Sequence, residues 1–577
     1  MRTKLKVGCL ACLTMGWGVA IAAPEIPASA IPSRVEQQIP KVAPQAQKSD
    51  DQTEKMKAGK VGSTDPAMTQ VTIYLKGVQL KNAKTQAVAF KAALQKLAKP
   101  FLNKRVTLEQ VQAIGFALQK LYQDEGYILT QVVLPPQDIQ KDGANVIYEV
   151  VEGYVAQIII KSDTDAPYSA QLQRHADLIT DSRPLQLKVL ERSLLQMNDL
   201  PGVAAQSVLA PSPTVVGAAN MNLNVRHTPA MVYAGYSNRG TTFLGPRQVQ
   251  AGFQLNSLLA ADRLSVNTST VMPFPRQLVY YDIDYRVYVG EAGWQVHGVQ
   301  SHTRSKPGGS LVNLKLSGYS KKTQFDVTYP WWRSRFKNLN FSAGLYLLDS
   351  ENDTKLDPTH SQKLYKDNIR GLFMSGNWSF TNPELITHQA TIKVTRGMPW
   401  FQASRDDDTT AHSRQGGHAE FTKFDFDMSR TRYWTEKLSY MASLQGAWAL
   451  RGLLASEQYG YGGAQYGSAY DSSTLTGDRG FSVRWEGRYD LLQGTGSAFI
   501  TFAQLYAAID HGRTWVLDTI NQVSGGDAAS ACLGVRTQIV SQIDASFEVA
   551  KPLTFPVTIG DDISYHPRFF FNILSRL

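Results

Sequence analysis

The feature that most constrains this chain is the alternation of apolar and polar residues through residues 228 to 577. Between residues 437 and 450, leucines and aromatics occupy alternate positions, with serines and a glutamine between them. Phe424 and Phe426 alternate with two aspartates in the same way. A strand that faces lipid on one side and water on the other has this pattern.

A spanning strand with its connection takes roughly 22 residues, so this region holds about 16 strands. We therefore predict a transmembrane β-barrel of about 16 antiparallel strands over residues 228–577. Arg484 and Glu486 should face its lumen, and Val483 and Trp485 should face lipid. A mean hydropathy of -0.25 excludes a helical protein with many membrane spans.

The chain begins with the features of a secretory signal peptide, predicted over residues 1–23. Arg2, Lys4 and Lys6 precede an apolar run, and small residues close it. Cleavage there leaves Cys532 as the one cysteine, so no disulfide can form within the mature chain. The sequence therefore predicts an exported protein that does without disulfides.

Residues 24–70 are rich in Pro, Ala, Gln, Ser and Lys and contain almost no aromatic residues. Such a segment cannot bury enough apolar surface to fold alone. Within it, Pro32–Ile39 has two interpretations. It is either a short helix capped by Ser33 or an ordinary part of the linker.

Two copies of one small α/β unit are predicted next, over residues 71–153 and 154–227. Each has the order strand, helix, helix, strand, strand. In the first copy, Thr107 and Gln110 predict a capping box, and Gly126 predicts the end of that helix. The recurrence of this order indicates an internal repeat.

The mature chain carries no motif of a serine hydrolase, zinc protease, P-loop or thiol redox enzyme. Asp406–Asp408 with Asp427 could suggest calcium, but an acidic run in a surface loop is the commoner explanation. We predict no enzyme activity, no cofactor and no metal. The net charge of +10 is spread along the chain, so nucleic acid is not predicted as a partner.

Several spaced motifs occur in an order that resembles one family, the two-partner secretion (TpsB-type) transporters. These outer-membrane proteins export haemagglutinins and haemolysins and belong to the superfamily of barrels with periplasmic POTRA domains. The motifs are Gly126-Tyr127, Leu134–Gln137, Val150–Val155, Leu190–Arg192, Asn198–Val203, Tyr236–Gly240, Ser456–Tyr459, Gly462-Gly463 and Thr476–Phe481. The residues 569 to 577 resemble a last strand, although they end in Leu rather than the usual Phe.

The resemblance implies a pore that moves an unfolded partner polypeptide from the periplasm to the cell surface without ATP. The barrel would contact outer-membrane lipid and lipopolysaccharide, and the barrel-assembly machinery would insert it. Pro32–Ile39 would be a plug helix inside the barrel, tethered by a linker through Asp65. Two alternatives stay open: a barrel-assembly factor of the same superfamily, and a porin or adhesin that transports no protein.

The resemblance also implies that the POTRA units bind the partner. The free edge of a small sheet can accept an extended peptide as an extra strand. The edge regions we predict are residues 127 to 134 and 203 to 210, which could also merely complete their sheets. The candidate partner-binding residues are Tyr127, Leu134, Pro135, Gln137, Gly153, Pro201 and Gly202.

A long loop should fold into the lumen, and its candidate residues are Gly462, Gly463, Ser468, Tyr470, Gly477, Asp478 and Gly480. The family usually has an arginine in this loop that reaches an aspartate of the barrel wall. Here Ser468 replaces that arginine, while the expected partner, Asp510, is present. Arg479 and Arg484 are the residues that could supply the missing charge.

Overall fold

The computed structural model describes residues 26–39, 72–138, 143–162, 166–355, 361–493, 499–517, 525–540, 542–555 and 566–577. The predicted signal peptide lies outside these residues, as does the linker from residue 40 through Asp65. In the described ranges, no helix is both long and apolar enough to cross a membrane.

The first α/β unit packs two helices on a four-stranded sheet of order β2-β1-β4-β3. Its elements are β1 Thr72–Lys81, α1 Ala87–Ala98, β2 Lys104–Thr107, α2 Leu108–Asp124, β3 Gln131–Val133 and β4 Ala144–Val151. The predicted capping box is confirmed, because Thr107 and Gln110 exchange both hydrogen bonds at the start of α2. Gly126, with φ of 92°, follows this helix as predicted.

Two details of this unit were predicted wrongly. The strand β2 was missed because its four residues carry too little alternation to be recognised. The predicted strand over residues 127 to 134 is only Gln131–Val133, because Tyr127 turns into the core and packs against Phe90 and Tyr122.

The second unit has the predicted order in full and a three-stranded sheet of order β5-β7-β6. Its elements are β5 Tyr154–Lys161, α3 Ser169–Asp181, α4 Leu187–Asp199, β6 Val203–Pro211 and β7 Ala218–His227. One face of α4 supplies the buried Leu190 and Met197 to the core. Both units therefore leave an edge strand, β3 or β6, on one side of the sheet.

A closed antiparallel barrel of 16 strands follows, as predicted. The strands after β7 are β8 Ala230–Ser237, β9 Gln248–Asn256, β10 Asp262–Val271, β11 Leu278–Val289, β12 Trp294–Ser305, β13 Leu316–Arg333, β14 Lys337–Thr354, β15 Gln362–Thr381, β16 Thr387–Gly397, β17 Thr422–Tyr433, β18 Leu438–Ala449, β19 Tyr459–Tyr461, β20 Leu475–Gly477, β21 Arg479–Gln493, β22 Ile500–Trp515, β23 Gly525–Ile539, β24 Ile543–Pro552 and β25 Arg568–Arg576. All of them except β19 and β20 belong to the barrel, which closes where β25 pairs with β8.

The alternation of side chains is also confirmed in the barrel wall. Arg484 and Glu486 are buried inside, whereas Trp485 between them is 59% exposed on the outer face. The motif at Tyr236–Gly240, which resembles the entry of the first barrel strand, instead lies at the end of β8. Because the barrel is closed, each of its strands pairs with a neighbour on both sides.

Helix α4 fixes the second unit to the periplasmic turns of the barrel. Arg192 donates hydrogen bonds to the carbonyl oxygens of Ala292 and Pro330, at 3.3 and 3.0 Å. Arg333 forms a two-pronged ion pair with Asp199, with both N–O distances at 2.7 Å. A bidentate pair fixes orientation as well as distance, so the second unit sits in a defined pose below the lumen.

This junction should weaken in acid because of His175 on α3, which is buried there beside Gln196, Asp199 and Tyr288. Burial lowers the pKa of His175 to about 4, Asp199 opposes this shift, and Arg192 adds to it. An exposed histidine has a pKa of about 6.5, so the unfolded state takes up the proton first as pH falls. We expect a stability contribution present above pH 6.5 and lost toward pH 4, on the order of 3 kcal/mol.

Hydrogen exchange in α3 and α4, followed from pH 7 to pH 4.5, measures this loss. The variant His175→Leu cannot take up a proton and should show a flatter pH response in the same helices. An identical response in the two proteins would contradict the assignment to His175.

Candidate functional site in the barrel lumen

Residues 26–39 lie inside the barrel as two short 3-10 helices, Ala28–Ala30 and Pro32–Gln37. The expected cap is wrong: Ile31 precedes the second helix and no side chain caps it, so Ser33 does not take that role. A proline at the start fixes φ and has no N–H to satisfy, which suits the first turn of a helix without a cap. We call residues 26–39 the plug segment.

The plug segment is held by apolar side chains at two points. Ala30 and Val35 are both fully buried. Ala30 packs with Phe243, Leu311 and Leu316, and Val35 packs with Leu244, Val271 and Leu278. These partners lie near the extracellular side of β8 to β13, so the plug segment is fastened to the wall by small, dry contacts.

Arg34 joins the plug segment to a second occupant of the lumen. Its guanidinium is fully buried and donates to the carbonyl oxygens of Ala455 and Gln458, at 2.6 and 3.0 Å. It also donates to the Ser473 hydroxyl at 3.0 Å. Sequence reasoning missed Arg34, although a lone arginine in a segment expected inside a barrel was a usable signal.

The second occupant is the connection between β18 and β21, residues 450–478, which we call the lumen loop. It folds inward and forms the β19–β20 hairpin. Gly462 has a φ of 122°, and a Cβ there would lie 2.0 Å from the Asp471 carbonyl oxygen. A Cβ at Gly480, on the wall, would lie 2.4 Å from the Tyr459 ring. These predicted glycines allow the loop and wall to approach closely.

Asp510 on β22 binds the tip of the lumen loop. Its carboxylate accepts hydrogen bonds from the Tyr461 hydroxyl at 2.7 Å and the Gly467 N–H at 2.9 Å. The Ser468 hydroxyl donates at 3.2 Å, and Ser530 of the neighbouring strand donates at 2.8 Å. The structure thus places the predicted wall aspartate against the predicted loop residue.

The positive charge near Asp510 comes from the wall and not from the loop. Arg484 on β21 donates to the Ser468 hydroxyl at 2.7 Å and lies 3.5 Å from the Asp510 carboxylate. Glu486 holds the other side of the guanidinium at 2.9 Å. Arg479, the other candidate, instead donates to the Ala449 carbonyl oxygen. Ser468 therefore bridges the wall arginine and the wall aspartate.

Two further residues of the lumen loop, Tyr470 and Asp478, hold it to other parts of the barrel. The Tyr470 hydroxyl lies 2.7 and 2.6 Å from the carbonyl oxygens of Ala529 and Thr554 and can donate its one proton to either. Asp478 is fully buried and accepts from Arg414 at 2.7 Å. Arg414 belongs to the extracellular connection between β16 and β17, and sequence reasoning missed it because no local pattern marks it. The remaining predicted glycines lie in this loop: Gly463 has a φ of 107°, and Gly477 ends β20.

Most of the predicted partner-binding residues lie in the core or at domain junctions. Tyr127 is buried, and Leu134, next to Pro135, packs on the core of the first unit. The Gln137 side chain bonds both backbone groups of Ile147, accepting from its N–H at 2.9 Å and donating to its carbonyl at 3.0 Å. Gln137 thus covers part of the β4 edge just beyond the short strand β3.

The glycines among these residues hold the domain junctions. A Cβ at Gly153 would lie 2.3 Å from the Leu129 carbonyl oxygen, where the two α/β units meet. Gly202, with φ of 71°, accepts from the Thr228 N–H at 2.8 Å, and Ser257 bonds the Pro201 carbonyl oxygen. These residues position the sheets. The Val132 N–H of β3 bonds Gln119 at 3.2 Å, whereas β6 has exposed backbone beyond Ala205, which bonds Asn198.

The acidic run at Asp406–Asp408 does not gather into a ligand cage in the part of the chain that the structure describes. No group of three or more His, Cys, Asp or Glu side chains close enough to hold a metal occurs there. Asp406 pairs with His418 at 2.8 Å, while Asp427 lies on β17 in the wall.

Replacing Asp510 by alanine should loosen the lumen loop. The change removes the shared acceptor of the buried donors of Tyr461, Gly467, Ser468 and Ser530, which costs on the order of 3 kcal/mol. We expect faster hydrogen exchange through residues 459–477. Asp527→Ala is the matched control, since Asp527 lies on neighbouring β23 with a side chain 61% exposed. Equal protection in Asp510→Ala and the wild type would show that Asp510 does not hold the loop.

Comparison with known proteins agrees with this arrangement. The sequence profile of the haemolysin secretion/activation proteins ShlB/FhaC/HecB matches residues 219–537, and that of the ShlB-type POTRA domain matches residues 73–153. The outer membrane transporter CdiB of Dickeya dadantii is 23% identical over 474 residues, which cover 80% of each chain. The heme/hemopexin transporter protein HuxB of Haemophilus influenzae is 21% identical over 69% of each chain.

Solved structures share the fold. CdiB from Escherichia coli superposes with a TM-score of 0.69, with 18% identity and 94% of each chain covered. BamA from Haemophilus ducreyi, lacking its first three POTRA domains, gives a TM-score of 0.51 with 12% identity, covering 88% of this chain and all of that one. The profile match spans more than half of the chain and includes most of the barrel. The chain belongs to the ShlB/FhaC/HecB family, the outer-membrane transporters of two-partner secretion, with POTRA domains in the periplasm.

Proposed function

We propose that this transporter exports one large polypeptide, an adhesin, haemolysin or similar protein, which crosses the barrel unfolded. The lumen, filled by the plug segment and the lumen loop, is the observation that carries the proposal. A 16-stranded barrel is wide enough for a water-filled channel, and here two segments of the chain itself occupy that space. Related proteins named CdiB and HuxB are transporters, which supports a protein or protein-bound cargo.

The entry step in this proposal is strand addition to β6. Asn198 bonds the N–H and the carbonyl of Ala205 on the side away from β7, at 2.9 and 3.0 Å. The N–H and C=O groups of successive residues point to opposite sides of a strand. The backbone groups of Ser207 and Leu209 therefore point, like those of Ala205, to the edge of β6 away from β7. The strand begins beside the barrel turn that contains Ser257, so a peptide added to β6 would be guided to the mouth of the lumen.

The passage step requires the plug segment to leave. Its contacts with the wall are few and small, and Arg34 bonds neutral carbonyl and hydroxyl oxygens. The outer wall, with exposed residues such as Trp485 and Phe547, suits outer-membrane lipid and lipopolysaccharide. In the same proposal, the barrel-assembly machinery inserts the protein into the outer membrane, and the protein has no enzyme activity.

Deleting the gene and comparing secreted with outer-membrane proteins tests the export of one partner. We expect the loss of one large extracellular polypeptide and unchanged levels of other barrels. A broad fall in many barrels would instead favour an assembly factor. Unchanged secretion and unchanged barrels, with the partner expressed, would contradict both.

Ser207→Pro tests the entry step. Proline removes the N–H that faces the free side of β6 and leaves the β6–β7 ladder intact. We expect export to fall at least about tenfold, as when a docking strand loses its central backbone bonds. Ser207→Val, which keeps the N–H, is the control and should export normally. Normal export by folded Ser207→Pro would rule out this edge as the docking strand.

A further inference from the structure

Three lysines of the barrel wall gather on one side of the lumen. They are Lys322 on β13, Lys393 on β16 and Lys423 on β17. The ammonium nitrogens of Lys322 and Lys393 lie 6.0 and 5.9 Å from the centre of the same Tyr346 ring. Lys393 also lies 4.6 Å from the centre of the Phe373 ring. We call Lys322, Lys393 and Lys423 the basic patch.

Carboxylates from the two lumen occupants already face this patch. Glu36 of the plug segment lies 3.3 Å from the Lys322 ammonium group. Glu457 of the lumen loop lies 2.7 Å from Lys423 and accepts from the Tyr346 hydroxyl at 2.7 Å. The three lysines thus belong to the barrel wall, whereas Glu36 and Glu457 belong to the plug segment and the lumen loop.

The patch is not fully neutralised by the wall itself. Lys423 has a second carboxylate, Asp425 of its own strand, at 3.7 Å. Lys393 has no carboxylate within 4.0 Å among the residues that the structure describes, and faces aromatic rings instead. When the plug segment leaves, Lys322 loses Glu36, so two lysines in reach of one tyrosine ring are left to bind an anion.

We propose that the basic patch is a transient binding site for acidic side chains of the polypeptide in transit, with Glu36 as its occupant at rest. The inference rests on the proposed function, because an extended chain must be in the lumen to use the site. The ligand class follows from the contacts, since both present occupants are carboxylates on peptide segments. The aromatic rings of Tyr346 and Phe373 give the methylenes of an aspartate or glutamate a surface to pack on.

Such a site helps transit because one carboxylate bound to the lysines can be replaced by another. An acidic segment of the cargo replaces Glu36 at Lys322, so the displacement of the plug segment exposes no unpaired charge. Each lysine–carboxylate contact in a wet lumen is weak, because water screens the two charges. This is weak enough for the bound segment to be released and the next one to take its place.

Current block in planar bilayers tests the site without the natural cargo. The full-length protein carries Ala30→Arg, because a large charged side chain cannot remain in that dry pocket and the plug segment is displaced. The probes are hexaglutamate and hexaglutamine, added on the periplasmic side. We expect hexaglutamate to give longer blocks than hexaglutamine. In the same background, Lys322→Gln with Lys393→Gln should shorten the hexaglutamate blocks about tenfold.

Lys321→Gln is the matched control, because Lys321 neighbours Lys322 in β13 and points to the opposite face of the wall. It should leave the blocks unchanged, and heat-modifiable migration on gels verifies that each barrel is folded. Hexaglutamate blocks that do not depend on the two lysines, or that equal those of hexaglutamine, would overturn the proposal. If the blocks depend on the lysines while gene deletion leaves secretion unchanged, the proposed function fails and the site stands.

Discussion

The structure depends on one constraint: a β-barrel in a membrane must close its hydrogen-bond ladder, and closure with 16 strands leaves a wide lumen. Most of the other features of the lumen follow from the need to fill this space. The lumen loop and the plug segment fill the space, and the charged side chains of the wall hold them there. A smaller barrel would fill its interior with wall side chains and would need neither segment.

The two occupants are held by different kinds of contact. The lumen loop has buried charged anchors, Asp510 at its tip and Asp478 at its end. The plug segment has two small apolar contacts, the hydrogen bonds of the Arg34 guanidinium to neutral oxygens of the lumen loop, and the partly exposed Glu36–Lys322 ion pair. When the plug segment leaves, its charged side chains pass into water and leave neutral oxygens and a partly exposed lysine behind, whereas undocking of the loop leaves buried charges of the wall unpaired. We therefore expect the lumen loop to stay docked longer than the plug segment does.

The fold could be predicted from the sequence where apolar residues recur at a regular spacing or where a helix-capping motif marks the start of a helix. The alternation of Arg484, Trp485 and Glu486 predicted which side chains face the lumen and which face lipid. Thr107 and Gln110 predicted the start of α2. The four-residue strand β2 and the inward turn at Tyr127 were missed, because tertiary packing outweighs local pattern in such short segments. The wall closure between β25 and β8 pairs residues more than 300 positions apart, beyond any local signal.

The resemblance to the family predicted which residues belong to the lumen site, but not which of them contact one another. Asp510 and Ser468 were expected to face each other, yet the arginine that joins them comes from the wall at position 484. The sequence offered Arg479 equally well, and only the register of β21 decides between the two. Arg34 and Arg414 reach the loop from distant segments, so their roles follow from the folded lumen alone.

A crosslink that holds the plug segment in the lumen shows directly whether this segment must leave for export. With Cys532→Ser, cysteines in place of Glu36 and Lys322 can be joined by a short, reductant-cleavable bis-methanethiosulfonate, since the native side chains meet there. Export of the partner by the same cells is then measured before and after reduction. We expect export to stop while the link is closed and to resume once it is cleaved. Undiminished export with the link fully formed would contradict it.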